Sequence, residues 1–201
     1  MYKGTVRITM GELNIEGTSV HVTRTPRKTV SVQLKADGIY VRAPLRMSDA
    51  EIECFLDSKS GWIRKHLRMV AEWNAVAKDL QPYSYEEMHE LATKALQVIP
   101  ERVKHYAGII GVDYGNITIR NQRTRWGSCS SKGNLNFNCL LMLLPDEIVD
   151  SVVVHELCHR KHMNHSPQFY AEVEKAFPNY QRCNTWLKEN GGIYLSRLPQ
   201  R

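Results

Sequence analysis

The sequence predicts an α+β fold, in which two β-rich stretches are each followed by helices. The first 45 residues are rich in Val, Ile and Thr and alternate like strands. From Ser48 to Gly111 apolar residues recur at helical spacing between capping signals. After a second β stretch near 116–139 the helical pattern returns. Hydrophobic residues make up 42% of the 201. A chain of this length buries roughly 70% of its unfolded surface, so a real core can form. That content excludes a disordered chain, and 12 Gly with 8 Pro exclude a collagen-like repeat.

Four N-terminal strands are expected, at 5–8, 20–23, 29–35 and 39–41. Val30, Val32 and Leu34 alternate in the third, and Asp37-Gly38 turns it tightly into the fourth. The expected arrangement is a short antiparallel meander with one face on a helix. Ser48 with Glu51 forms a capping box that opens that helix, with Ile52, Phe55 and Leu56 on one side. Ser60-Gly61 breaks or kinks it, and Trp62, Ile63, Leu67 and Val70 carry the period on towards Ala77.

Gln81-Pro82 reads as a linker, dividing a β-rich basic region with a long helix, 1–82, from a domain at 83–201. Ser84 with Glu87 repeats the capping box and starts a helix towards Val98. Pro100 interrupts it or starts the next short helix, and Gly111 closes the segment. Strands follow at 116–120, 126–130 and 135–139, the last two pairing across 131–134. Leu135, Phe137 and Cys139 share one face of the last strand, and Asn134, Asn136 and Asn138 the other. Pro145-Asp146 starts a helix expected to run to about Met163. Ser166-Pro167 opens another, and a short third helix after Pro178 is ended by Gly191-Gly192.

The formal charge is +6, with both ends of the chain basic and residues 71–115 acidic. Such an excess suits anions or nucleic acid, or simply a solvated surface. The longest apolar run, 139–144, is far below the ~18–20 residues of a membrane span, and the first ten residues have no apolar signal core. Five cysteines form no Cys-x-x-Cys pair, which argues against a disulfide framework. The expectation is a soluble, cytoplasmic protein with reduced thiols and no membrane contact.

Chemistry enters at Val152-Val-Val-His-Glu-Leu-Cys-His159, a His-Glu-x-x-His pattern on an apolar helix. Histidines four apart lie on one face, so two imidazoles can share one Zn²⁺. Glu156 then sits beside the metal, where it can hold a zinc-bound water and move its proton. With 8 His and 14 Glu in the chain, chance supplies only about 0.02 such matches.

A catalytic zinc needs a third protein ligand. If the helix continued past it, His162 would stand roughly 10 Å from His155 along the axis. His165, placed where the chain can turn back before Ser166-Pro167, is the better choice. Glu172 and Glu174 stand as the carboxylate alternative, and His162 as a supporting or surface residue. The spacing of His155, His159 and His165 equals that of metzincin proteases, which carry a glycine at the place of His162. Cys158 is expected to pack inward rather than act as a nucleophile. Arg120, Arg123 and Arg125 precede Trp126 in what reads as an Arg-rich hairpin. Arg123 and Arg125 are candidates for binding substrate or an anion, against the plainer reading of a charged sheet edge.

Taken together, Arg123-x-Arg-Trp-Gly-Ser-Cys129, Gly133-Asn-Leu-Asn-Phe-Asn138, Val154-His-Glu-Leu-Cys-His159 and Asn164-His-Ser-Pro-x-Phe169 resemble the YgjP-like metallopeptidase family, related to SprT-like zincins. The resemblance extends to the β-rich start and to the Lys59-x-x-x-Trp-Ile63 helix. Cys139 departs from it, standing where the family more often has a bulky aromatic. The resemblance implies a zincin-like domain at 83–201, with helices on a small antiparallel sheet. It also implies Zn²⁺ on His155, His159 and His165, with Glu156 as general base. The function expected is a zinc metallopeptidase acting on a peptide or protein. Some members of that family are described as UTP pyrophosphatases, so hydrolysis of a nucleotide at the same metal site is the first alternative. A non-catalytic, zinc-stabilised module that binds DNA or protein is the second. It requires a fourth ligand from Cys129 or Cys183.

Overall fold

A computed structural model describes residues 6–15, 17–35 and 37–199. Thr5, at the start of the first expected strand, lies outside the described residues. The fold is α+β, and the chain forms two compact units, Met1–Val76 and Ala77–Arg201.

The first unit holds strands β1 (Val6–Ile15), β2 (Thr18–Thr25), β3 (Ser31–Lys35) and β4 (Gly38–Pro44). The hairpin at Asp37-Gly38 forms as expected, with Lys35 opposite Gly38. The antiparallel meander does not: the order is β1-β2-β4-β3, and β2 runs parallel to β4. The reason lies in burial. Val20, Val22, Ile39 and Val41 are all sealed from solvent, so β2 and β4 take the centre and the half-buried β3 is left at the edge. This face packs on Ile52 and Leu56 of α1 (Asp49–Ser58) and Ile63 of α2 (Ser60–Lys78). Ser48 and Glu51 cap α1 reciprocally, and the break falls at Lys59.

The second unit opens with α3 (Tyr85–Ile110), capped by Ser84 and Glu87 and ended by Gly111 in the left-handed conformation. Contrary to expectation, Pro100 does not interrupt it. A proline in a helix interior costs ~3 kcal/mol. Burial of Ala95, Ile99, Val103, Ala107 and Ile110 along one stripe of α3 outweighs that cost.

Strands β5 (Ile117–Arg120), β6 (Gly127–Cys129) and β7 (Leu135–Asn138) form a sheet of order β5-β7-β6. β6 and β7 pair antiparallel across the expected turn, but β5 runs parallel to β7, so this sheet is mixed. The segment bearing Arg123 and Arg125 is therefore a connection from one edge of the sheet to the other, not a hairpin. Leu135 and Phe137 point into the core. Asn138, fully buried, ties the connection down. Its Nδ2 donates to the carbonyls of Gln122 (2.6 Å) and Arg125 (3.0 Å), and its Oδ1 accepts from Leu140 N–H.

A 3-10 turn (Cys139–Leu143) leads to α4 (Asp146–Cys158), which is buried on nearly every side. It packs on α3, and Arg102 of α3 bridges Asp146 and Asp150 of α4 at 2.6 Å each. α4 stops near His159 rather than Met163, because Met163 is the single apolar residue of 160–165 and is left exposed, so no apolar face continues the packing. α5 (Pro167–Ala176) starts at the expected Ser166 cap. α6 (Tyr180–Ser196) runs straight through Gly191-Gly192. Gly191 serves packing there: a Cβ on it would stand 3.1 Å from the Trp126 ring.

Asn138→Ala leaves two part-buried carbonyls and one buried N–H without their partner, so it should destabilise the protein by about 1–3 kcal/mol. Exposed Asn121→Ala should change stability by less than ~0.5 kcal/mol. Urea denaturation of the two variants checks this; equal midpoints would contradict the role given to Asn138.

Candidate metal centre

The last turn of α4 presents His155, Glu156 and His159, and His165 comes from the loop before α5. Past the helix end, the N–H groups of Arg160 and Lys161 donate back to the carbonyls of Leu157 and Cys158, which turns the chain. His165 Nε2 thereby reaches 3.1 Å from His155 Nε2. Ligand nitrogens of His155, His159 and His165 all lie within 4.8 Å of one another. Among the described residues this is the one such group able to hold a metal ion. Nitrogens on a tetrahedral ion at bonds of 2.0–2.1 Å stand about 3.3 Å apart, so the His155–His165 spacing suits a shared cation.

The rings are held from behind. His159 Nδ1–H donates to the carbonyl of His162 at 3.0 Å, and His155 Nδ1 lies 2.8 Å from the Tyr180 hydroxyl. With Nδ1 so occupied, Nε2 is the nitrogen left to bind a metal. Phe169, wholly buried in α5, packs against all three imidazoles at centroid distances of 4.6–5.0 Å. Burial keeps His155 neutral, pulling its pKa down to about 3, with His159, His165 and Lys188 adding to the effect. Burial lowers His159 as well.

Glu156 is 6% exposed. Burial pushes its carboxyl up to about 8, opposed by the Arg125 guanidinium and by the N–H of Cys129, which donates to it. It lies so close to β6 that a Cβ on Gly127 would stand 2.7 Å from its Oε1. Only glycine leaves that room. A pocket of about 250 Å³ opens here, walled by Arg125, Trp126, Gly127, His155, Glu156 and Tyr180.

The other expected residues are accounted for. His162 lies beyond the helix end, not one turn further along it, and reaches His159 through its carbonyl; its side chain is not in the cluster. Glu172 pairs with Lys161 at 2.8 Å and Glu174 accepts from Gln181, so neither joins the histidines. Cys129 and Cys183 are also outside the cluster. Cys158 is buried and its thiol is pushed up to about 12, chiefly by burial, which leaves it inert. Arg123 is exposed and donates to the Pro199 carbonyl, whereas Arg125 stands on the pocket wall. Tyr180, Gly127 and Asn138 carry contacts to this site that the sequence alone did not single out. Their positions two residues after Pro178, just after Trp126 and on the polar face of a strand were the available signals.

A carboxyl whose pKa is higher folded than unfolded favours folding while protonated. For Glu156 that contribution is complete below about pH 4.5 and gone once pH passes about 8. In metal-free protein, Glu156→Gln should therefore gain stability over the unsubstituted chain as pH rises from 5 to 9. The gain is at most about 5 kcal/mol. Denaturation of chelator-treated samples at both pH values measures it. A difference that does not grow with pH would contradict the burial argument.

None of the curated proteins compared matches the chain. Among solved structures, the metallopeptidase zymogen of Pyrococcus abyssi abylysin aligns with a TM-score of 0.43 at 24% identity. The alignment covers 47% of this chain and 96% of that one. The metallopeptidase zymogen of Methanocaldococcus jannaschii jannalysin aligns at 0.40 and 21% identity, covering 44% and 92%. The family model of the YgjP-like metallopeptidase domain matches residues 28–91 and 76–190. Since that match spans most of the sequence and includes the histidine cluster, the chain belongs to the YgjP-like metallopeptidase family.

Proposed function

We propose that the chain is a zinc-dependent peptidase whose catalytic work falls to residues 83–201. The observation that carries this reading is the convergence of three imidazole nitrogens beside a buried glutamate that shares a pocket with one of them. His155, His159 and His165 would hold the zinc. Three neutral imidazoles suit that ion and leave a coordination position open, as a catalytic site requires. When bound, zinc polarises the scissile carbonyl and acidifies the attacking water. Glu156 takes the proton of that water and returns it to the leaving amine. Its burial, set against Arg125 and the Cys129 N–H, suits a group that must gain and lose a proton near neutrality. Tyr180 and the His162 carbonyl fix the orientation of two ligand rings.

A peptide suits this pocket. β6 is an edge strand and its Gly127 lines the wall, so an extended chain can add alongside it. Hydrolysis of UTP is less supported: the described residues include no metal-capable carboxylate group, such as would hold the Mg²⁺ that phosphoanhydride chemistry favours. A purely structural zinc is less supported too, because the cluster has three ligand residues and not four. No helix among the described residues is long and apolar enough to cross a membrane. All five cysteines are unpaired, which fits a reducing cytoplasmic setting.

Zinc-loaded protein should cleave unfolded casein and leave UTP intact. Glu156→Gln should keep its zinc and fold but lose activity by ~10²-fold or more. Full activity in that variant, or pyrophosphate release without peptide release, would overturn the reading. His165→Ala should lose bound zinc while His162→Ala keeps it, measured as metal per chain after dialysis. The reverse pattern would displace His165 from the site.

A further inference from the structure

Next to the pocket lies a larger groove, about 890 Å³, which the peptidase mechanism leaves unused. Thr124 and Arg125 line both, so the groove adjoins the pocket across one stretch of the β5–β6 connection. Arg120, Arg123 and Arg125 all line it, and no carboxylate does. Elsewhere in this unit Arg102, Arg160, Lys161 and Arg182 each pair with an acid. Arg120 and Arg125, by contrast, make no ion pair among the described residues. Arg123 commits a single N–H to the Pro199 carbonyl. Arg125 also faces the Glu156 carboxyl, so the uncompensated charge of the groove is that of Arg120 and Arg123, and a groove of one sign attracts ligands of the other.

The charges are also held in place. Asn138 binds the carbonyls of Gln122 and Arg125, so the connection is pinned near both ends. Asn136 adds an amide to the groove and the exposed Tyr85 an aromatic ring, a mixture that suits a polypeptide. The helix N-terminus at the groove, that of α3, has the N–H groups of Ser84 and Glu87 occupied by the reciprocal cap. With those two donors taken, it offers a polyphosphate fewer free N–H groups than an uncapped helix start would.

We propose that this groove binds an acidic stretch of the polypeptide substrate, to one side of the scissile bond, with Arg120 and Arg123 as specificity-determining residues. The proposal rests on the peptidase reading of the adjoining pocket. It gives the protein a preference for chains with several Asp or Glu near the cleavage point.

The test measures binding apart from turnover, in the full zinc-loaded chain carrying Glu156→Gln. Fluorescein-labelled hexaglutamate should bind by anisotropy and hexalysine should not. Adding Arg120→Ser with Arg123→Ser should weaken hexaglutamate about two- to thirty-fold, the range for two exposed ion pairs. Salt at 0.5 M should weaken it as well. Arg120→Glu is the second variant and should weaken binding at least as much. Unchanged far-UV circular dichroism and zinc content show that both variants are folded. No binding of hexaglutamate, equal binding of hexalysine, or no loss in either variant overturns the proposal. So does displacement of hexaglutamate by UTP or a thymidine decanucleotide at concentrations below its own Kd. Casein hydrolysis by the unsubstituted chain is measured separately. Hydrolysis without acid-selective binding removes the groove assignment alone, and acid-selective binding without hydrolysis removes the peptidase reading while the groove's preference stands.

Discussion

A carboxyl and two imidazoles on the last turn of a buried helix impose the constraint from which the rest of the second unit follows. None of these groups can carry an uncompensated charge where it sits: burial drives His155 towards the neutral form and Glu156 towards protonation. A cation held by the imidazoles relieves both effects, since it needs neutral nitrogens and favours an ionised neighbour. The surroundings fit that solution. His165 is turned back to within 3.1 Å of His155, the Tyr180 hydroxyl and the His162 carbonyl face the far nitrogens, and Phe169 packs against all three rings. Gly127 gives the carboxylate room against β6.

The same constraint explains the scaffolding. α4 can be apolar on almost every side because α3, the small sheet, α5 and α6 enclose it. The long stripe of α3 keeps its helix intact through Pro100, and Arg102 anchors the start of α4 far from the histidines. Asn138 is the link between core and site. One buried amide closes the sheet's polar end and fixes the connection that carries Arg125 onto the pocket wall.

What was legible in the sequence was whatever local chemistry decides. The capping boxes at Ser48 and Ser84, the Ser166-Pro167 start and the Asp37-Gly38 hairpin depend on neighbours within four residues, and each formed as read. His155 and His159 were legible for the same reason, being one helical turn apart. Strand partners were not. The parallel β2–β4 and β5–β7 pairings follow from which strands are most deeply buried, a property of the whole unit. Pro100 and Gly191 were misleading because tertiary packing overrode their propensity: one sits in a helix held by five buried residues, the other under the Trp126 ring. Tyr180 escaped notice because it meets His155 across 25 positions of sequence.

In the proposed site three imidazoles hold one zinc ion and leave one position for water. X-ray absorption at the zinc edge of the loaded protein tests it most directly. The expected spectrum is that of a four-coordinate shell of nitrogen and oxygen at about 2.0–2.1 Å, with the multiple-scattering pattern of three imidazoles. A sulfur scatterer near 2.3 Å, bringing Cys129 or Cys183 into the shell, or a fourth protein ligand that closes it, would rule out a catalytic three-histidine site.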